Sequence, residues 1–438
     1  MNALQLFLPC AAGVEDWLAE EVRRITDLPE TDVQAMRAGV LVKGSWRQAM
    51  LLNLRSRLAQ RVLVQLQRQP YSKEDDLYNA ASNVAWELWF TPQHTFKIEL
   101  TAQRSPLKSL NFAALRIKDA VVDRFRNKTG VRPSIDTGWP DARIYAHLSN
   151  DRVTLYIDTS GEPLFKRGWR EDKGDAPLKE TLAAAMIAAT GWDPDSGIPL
   201  YDPCCGSGTI AVEAAQMACH RAPGLQRRFA FERLLPYQAH VWQQLKQEAQ
   251  DAIIEPKNIV VYGSDVAHRM VDFAQRNAQR AGVAHAVSLR GGDALQRMPP
   301  TAQPGIMLVN PPYGERIAAA GVAGQRAAAR VARPTMRTGG TLGLGTLRTQ
   351  AVDRGVREQA VMAPGSENDD FFAKLATHWK RNYAGWSAYL LTPDRALPSR
   401  MRLKESRKTP MWNGPIECRL FRFDMVAGST RSTEGAAT

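Results

Sequence analysis

The stretch Asp202-Pro203-Cys204-Cys205-Gly206-Ser207-Gly208-Thr209 constrains this chain more than any other. It follows a short apolar run, Ile198 to Tyr201, and leads into the helix-like Ile210 to Ala218. Strand, Gly-rich turn and helix in that order make a site where backbone amides can approach a nucleotide-type cofactor. The glycines leave room that a side chain would fill, and Asp202 at the end of the strand can accept hydrogen bonds or attract a positive charge. Alone, a Gly-x-Gly turn fits chains that bind nothing equally well, because turns need glycine for positive φ.

A second stretch separates those readings. Gly305 to Val309 is apolar and strand-like and runs into Asn310-Pro311-Pro312-Tyr313-Gly314-Glu315-Arg316. Two prolines stop the strand and stiffen the turn, so the Asn310 amide and the Pro311 carbonyl become fixed hydrogen-bond partners, with Tyr313 beside them as an aromatic platform. That set suits a flat base bearing an amino group. DPCCGSGT with NPPYGER resembles the class I S-adenosylmethionine-dependent methyltransferases that act on exocyclic amino nitrogens of nucleic-acid bases. The full NPPYGER form is similar to the bacterial 23S ribosomal RNA guanine-N2 methyltransferases, which carry an RNA-binding THUMP domain ahead of the catalytic one. The resemblance implies an α/β fold: a Rossmann-like methyltransferase domain preceded by α+β ferredoxin-like and THUMP domains.

The length of 438 residues accommodates two or three such domains. Lys plus Arg at 57 against Asp plus Glu at 45 gives a net charge of +12, which favours a polyanionic partner. Five cysteines, at 10, 204, 205, 219 and 418, form no Cys-x-x-Cys pair and no zinc spacing with histidine. They read as reduced thiols. Cys204 and Cys205 read as small filler beside the loop, since neighbours in sequence rarely reach relaxed disulfide geometry. The start, MNALQLFLPCAAG, lacks a basic region and is broken by Pro9, unlike a signal peptide. No run of ~18 apolar residues is present to span a membrane. The expectation is a soluble cytoplasmic chain with RNA as its partner, without membrane, metal or obligate protein partner.

Along the chain, Leu4 to Leu8 reads as a strand, Gly13 to Ile25 as an amphipathic helix, Gly39 to Lys43 as a strand and Trp46 to Leu54 as a helix. This opening, residues 1–57, resembles the ferredoxin-like domain before THUMP. In 58–170, the expected THUMP domain, Arg61 to Leu66 and Thr95 to Thr101 read as strands and Asp75 to Leu88 as helix. Ala113 to Arg126 is a helix with Leu115, Ile117, Val121, Val122 and Phe125 on its apolar side. Arg116, Lys118, Arg124 and Arg126 make its basic side, which is either solvated surface or an RNA contact. Ala142 to Leu148 and Arg152 to Ile157 read as a hairpin about Ser149-Asn150-Asp151.

In Leu164 to Arg170 cations and aromatics interleave as single-stranded nucleic acid would require, with Lys166, Arg167, Trp169 and Arg170 as candidate RNA contacts. The other reading is a strand end leading into a linker, placed at 171–178. The methyltransferase domain is expected over 179–428, starting with the alanine-rich helix Lys179 to Ala189. The resemblance lets that helix line the methionine end of the cofactor.

The family pattern needs an acidic residue ending the next strand, to hold the ribose hydroxyls, and Ile259 to Tyr262 followed by Gly263-Ser264-Asp265 supplies it. The interval exceeds the ~20 residues of a dinucleotide fingerprint because a helical, basic insert at about 217–257 intervenes. Glu232 follows no strand, so Asp265 is preferred. Met270 to Ala281 reads as a helix and Val287 to Leu289 as a strand before Gly291-Gly292-Asp293-Ala294. Asp293 is where related enzymes meet the adenine amino group, although a turn or cap residue reads the same way. The resemblance thus carries cofactor contacts onto Asp202, Cys204, Gly206, Ser207, Gly208, Thr209, Asp265, Asp293, Ala294 and Asn310.

Residues 318–366, rich in Ala, Gly, Arg and Thr, read as an inserted loop or a divergent stretch. Asp369 to Tyr383 reads as a helix, and Trp386 to Leu391, Met401 to Ser406 and Cys418 to Asp424 as strands, with 429–438 a disordered tail. No second catalytic domain is expected to follow. In the implied reaction Asn310, Pro311, Pro312 and Tyr313 are the catalytic set, receiving an unpaired or flipped-out guanine. Glu315 and Arg316 serve either loop support or substrate contact. The loop chemistry alone fits adenine N6 as well as guanine N2. Transfer RNA, or a non-catalytic role in ribosome assembly, is the alternative.

Overall fold

Two sheets, each with its own helices, divide the chain into two compact units. The computed structural model describes residues 3–174, 178–311, 350–351 and 367–426. The first unit comprises the chain up to Gly168, Ala222–Ile253 and a later segment that includes Gln350–Ala351. Its strands are β1 (Leu4–Pro9), β2 (Val33–Met36), β3 (Gly39–Gly44), β4 (Leu63–Pro70), β5 (Phe96–Ala102), β6 (Ala142–Leu148) and β7 (Arg152–Asp158). They lie in the order β5-β6-β7-β4-β1-β3-β2. Alternation sets which face is buried: every other residue of β5 and of β6 points into the core. The helix Trp46–Arg55 begins on a reciprocal capping box, Gln48 N donating to Ser45 Oγ and Ser45 N to Gln48 Oε1.

The insert 222–253 belongs to this unit because Arg227 anchors it there. Its guanidinium donates to the carbonyls of Ser160, Glu162, Pro163 and Lys166 at 2.6–3.3 Å. Burial, with the Arg167 charge next in size, pulls this arginine down to about 10.

The second unit holds β8 (Leu200–Asp202), β9 (Val261–Asp265), β10 (Val287–Gly291) and β11 (Ile306–Val309). After β12 (Gln350–Ala351), which runs parallel to β5 of the first sheet, come β13 (Ser387–Thr392), β14 (Arg407–Asn413) and β15 (Ile416–Asp424). The strand order is β10-β9-β8-β11-β13-β15-β14. The first five are mutually parallel and β15 runs antiparallel to β13. Both faces of a parallel sheet are covered, so β11 is a short continuous apolar run and β8 is buried throughout, its Asp202 included. Under them Tyr201, Met307, Val309, Leu375, Trp379 and Phe423 share one core. The order reverses at β8, which has β9 on one side and β11 on the other. The crevice beyond the carboxyl ends of β8 and β11 is where open α/β sheets bind ligands.

Three expectations change. Val33–Met36 forms a strand that the sequence pattern does not reveal, since only its first residue is buried. Met401 to Ser406 is not a strand. Leu397–Met401 is a short helix with Pro398 in its first turn, where a missing N–H costs nothing, and the strand begins at Arg407. The helix expected to Leu88 ends at Ser82, with a separate single turn at Trp86–Leu88. Apart from 350–351, the stretch 318–366 lies outside the described residues, as does the tail 429–438.

Candidate functional site

Asp202 is the last residue of β8 and Asp265 the last of β9, which pairs directly beside it. The loop between β8 and the helix Thr209–Ala218 folds back on them. Gly206 N donates to Asp265 Oδ2 at 2.9 Å, and Cys204 N donates to Asp202 Oδ1 at 3.1 Å. Ala267 N donates to the other Asp265 oxygen. Asp202 is buried, and desolvation, with the Asp265 charge as a smaller contribution, pushes its carboxyl up to about 8. Burial also raises Asp265 despite its two amide donors.

Two glycines allow this approach for different reasons. Gly208, at φ +85°, caps the helix, and a Cβ there would sit 2.8 Å from Ala274 Cβ. Gly206, at φ +51°, has nothing within 4 Å of its missing Cβ, so its bareness faces open space. The first helical amides, from Thr209 on, point toward the same loop, which favours negative charge. Ser207 and Thr209 are buried in the turn, and Cys204, half-buried, packs on the core below.

Asp293 lies beyond β10, and its Oδ1 accepts from Leu295 N at 2.9 Å while Ala294 is buried beside it. The turn role and a ligand role are therefore both open to it. Asn310 follows β11 directly. Its Oδ1 is buried and has no hydrogen-bond partner among the described residues, and Pro311 is buried next to it. A buried carbonyl oxygen left unpaired costs on the order of 1–3 kcal/mol, which a ligand donor would recover. Pro312, Tyr313, Glu315 and Arg316 lie outside the described residues.

The sequence reading missed Asn277. Fully buried on the helix His268–Arg280, it donates from Nδ2 to Ser207 O and to Asp172 O, both at 2.9 Å. It holds the Gly-rich loop from behind. Its one signal is a polar residue on the face that buries Val271, Ala274 and Ala278.

Three family profiles match: an RlmL ferredoxin-like domain over residues 5–63, a THUMP domain over 71–158, and an RMKL-like methyltransferase domain over 167–363. The chain carries a THUMP domain and an RlmL-type methyltransferase domain. It is 34% identical over 437 residues to the ribosomal RNA large subunit methyltransferase K/L of Shewanella pealeana, covering 99% of this chain and 54% of that protein. The protein of the same name from Shewanella amazonensis is 36% identical over 429 residues, covering 97% and 54%. The chain thus spans about half the length of the curated relatives it matches.

Among solved structures, SMU.472 complexed with SAH superposes with a TM-score of 0.77 at 25% identity, over 97% of this chain and 98% of that one. A predicted N6-adenine-specific DNA methylase from Listeria monocytogenes gives 0.76 at 26% identity, over 97% and 96%. The expected fold, ferredoxin-like and THUMP domains with a Rossmann-like methyltransferase domain, is the one observed.

The candidate RNA contacts at the end of the THUMP region need correction. Arg167 is buried and donates to the carbonyls of Leu164 and Arg57. Trp169 is fully buried, and its carbonyl accepts from Arg280 Nε. Arg170 pairs with buried Glu180 at 2.9 Å and donates to Leu178 O. Their cation–aromatic interleaving is internal packing. Lys166 stays exposed and pairs with Glu162.

The basic side of the helix Leu110–Thr129 is similarly engaged. Arg116 pairs with Asp75 over the Tyr78 ring, Arg124 with Glu87, Lys118 with Asp119 and Arg126 with Asp123. Leu115, expected on its apolar side, is 41% exposed. In the segment expected as linker, Asp172 is ion-paired with Arg276 and Arg280, which hold its carboxyl well below the usual range. Among the described residues no helix is long and apolar enough to cross a membrane.

Proposed function

We propose that this chain transfers a methyl group from S-adenosylmethionine to the exocyclic N2 of a guanine in 23S ribosomal RNA or its large-subunit precursor, in the cytoplasm. The observation that carries the reading is the Oδ1 of Asn310, buried and without a hydrogen-bond partner among the described residues, directly after β11, beside Pro311 and at the switch point of the sheet. Asn310 Oδ1 and the Pro311 carbonyl would accept hydrogen bonds from an amino group while its lone pair faces the methyl carbon, and the N–H proton released as the new N–C bond forms would pass to solvent. Tyr313 would stack on the base.

The neighbouring cradle fits the cofactor. The open space at Gly206, the helix start at Thr209 and a desolvated Asp202 that a cation would return to its ionised form all suit it. Asp202, Cys204, Gly206, Ser207, Gly208 and Thr209 would hold the methionine end, Asp265 the ribose, and Asp293 with Ala294 the adenine. When bound, the cofactor supplies an electrophilic methyl group whose leaving group is a neutral thioether. This chain's residues then need to align the nucleophile rather than supply a strong base.

The THUMP match and the ribosomal RNA relatives favour RNA over DNA as the substrate. The reading also assigns RNA binding to the front half, 1–170. Its first test is Asn310→Ala, assayed in single turnover at saturating cofactor. The expected result is a loss of about 10²- to 10³-fold in the transfer rate. An unchanged rate overturns the amino-group mechanism.

A further inference from the structure

The opening residues of the second unit, 169–174, run back along one side of the helix His268–Arg280. Arg280 Nε donates to Trp169 O at 2.9 Å, and Arg276 and Arg280 together clamp the Asp172 carboxylate at 2.6–3.0 Å. A Cβ on Gly174 would lie 3.7 Å from Met270 Sδ, near the start of the helix. Arg280, Arg276 and Met270 thus meet Trp169, Asp172 and Gly174 in turn, so this strap lies antiparallel to the helix. We propose that Asn277 ties the strap and the cofactor loop into one ordered unit and is the positioning residue of that loop. The proposal rests on the reading of the loop as a cofactor cradle.

One planar amide is shared between two backbones. Asn277 is fully buried, and its Nδ2 donates one hydrogen to Ser207 O and the other to Asp172 O, both at 2.9 Å. Its Oδ1 accepts from Arg280 Nη2 at 2.5 Å. The two N–H groups of an amide lie in one plane at a fixed angle, so the two carbonyls are set relative to each other. Ser207 O needs a donor from outside its own helix, because the first helical amide, Val212 N, bonds Gly208 O instead. The peptide plane that carries Ser207 O also carries Gly208 N, which donates to Cys205 O at 2.8 Å. Held at both ends, that plane fixes the turn between Gly206 and Thr209.

The loop has other supports, Asp265 through Gly206 N and Ala274 against Gly208, and neither of these contacts reaches the strap. Asn277 does. A ligand that orders the loop therefore lowers the cost of ordering the strap, and an ordered strap favours the ligand by the same factor. The strap is also where the chain leaves the first unit, after Gly168. The tie gives the course of that crossing a direct bearing on cofactor affinity.

The test uses the full chain without and with S-adenosylhomocysteine. Without ligand, hydrogen exchange is followed in peptides covering 169–174 and 204–209, and Asn277→Ala is expected to speed it in both by about tenfold. With ligand, calorimetry below each thermal midpoint is expected to show affinity about tenfold weaker in Asn277→Ala. Bound ligand should slow exchange at 169–174 in the unaltered chain and leave it unchanged in that variant. Asp172→Ala keeps the Asp172 carbonyl and lies at the surface, so it serves if Asn277→Ala fails to fold. It is expected to speed exchange in both segments and to weaken affinity about threefold. In the Asn277→Ala background it should add nothing to the loss of affinity, as a shared route requires. Faster exchange confined to one segment, or unchanged ligand affinity in both variants, would overturn the tie and leave Asn277 a packing residue that moves the thermal midpoint alone. An unaltered chain that binds no S-adenosylhomocysteine contradicts the cofactor reading, and exchange without ligand then decides the tie by itself.

Discussion

The segment from Lys166 to Arg170 and the cradle from Asp202 to Asp265 are both rich in groups that could meet a ligand, and they differ in how those groups are satisfied. In the first, Arg167 has two carbonyl acceptors and Arg170 has a buried carboxylate at 2.9 Å, so both charges are answered, while the Trp169 indole N–H is buried without a hydrogen-bond partner among the described residues. In the second, two neighbouring carboxyls are raised by burial, Asp202 to about 8, and Asn310 Oδ1 has no partner among the described residues. A charge that the fold has already answered stabilises the fold. A buried polar group left unanswered is a cost to the fold, as at Trp169, and beside a ligand-sized opening it is a cost that a ligand can recover.

The largest effect that could break this comparison is on Trp169. If its burial is structural, Trp169→Ala lowers stability by about 3–5 kcal/mol, as a denaturant midpoint would register. Unchanged stability with weakened RNA binding would restore the base-stacking reading. The two glycines sharpen the other side. Gly208→Ala meets both a positive φ and Ala274, and is expected to cost about 2 kcal/mol. Gly206→Ala meets open space and costs about 1 kcal/mol of folding stability. Yet it is expected to lose at least about tenfold in cofactor affinity by calorimetry, because the methyl would occupy the ligand's place.

Asp202 gives a pH test. Its folded value lies above its ordinary 3.8, so the folded chain holds this proton longer than the unfolded one. The associated stability is present below about pH 4 and is lost as pH rises through about 8. Asp202→Asn, which cannot ionise, should therefore gain thermal midpoint relative to the unaltered cofactor-free chain across that window. A pH-independent difference between the two would remove the desolvated carboxyl from the account. The smallest effect belongs to the exposed pair Arg116–Asp75, side chains 27% and 64% exposed. Arg116→Gln should change stability by less than about 1 kcal/mol and leave RNA affinity within about twofold.

The legible parts were those in which the backbone itself demands particular residues. A strand followed by Gly206 and Gly208, an aspartate closing the next strand, and an asparagine before two prolines all announce their geometry: Asp202 and Asp265 end their strands and Asn310 directly follows its own. What the sequence concealed depends on distant partners. Arg167 meets the carbonyl of Arg57, 110 positions away, and Asn277 meets that of Ser207, 70 away. Cations interleaved with aromatics have the same composition whether they turn inward or outward. The insert 222–253 likewise joins the first unit through Arg227 and four carbonyls that no local pattern names.

The most direct measurement is the identity of the product. The purified chain would be incubated with labelled S-adenosylmethionine and, separately, with unmodified 23S ribosomal RNA, transfer RNA and duplex DNA, and the nucleosides from each digest identified. N2-methylguanosine from 23S ribosomal RNA alone is the predicted result. Methyladenine in DNA, or no methylated nucleoside despite measurable cofactor binding, would contradict it.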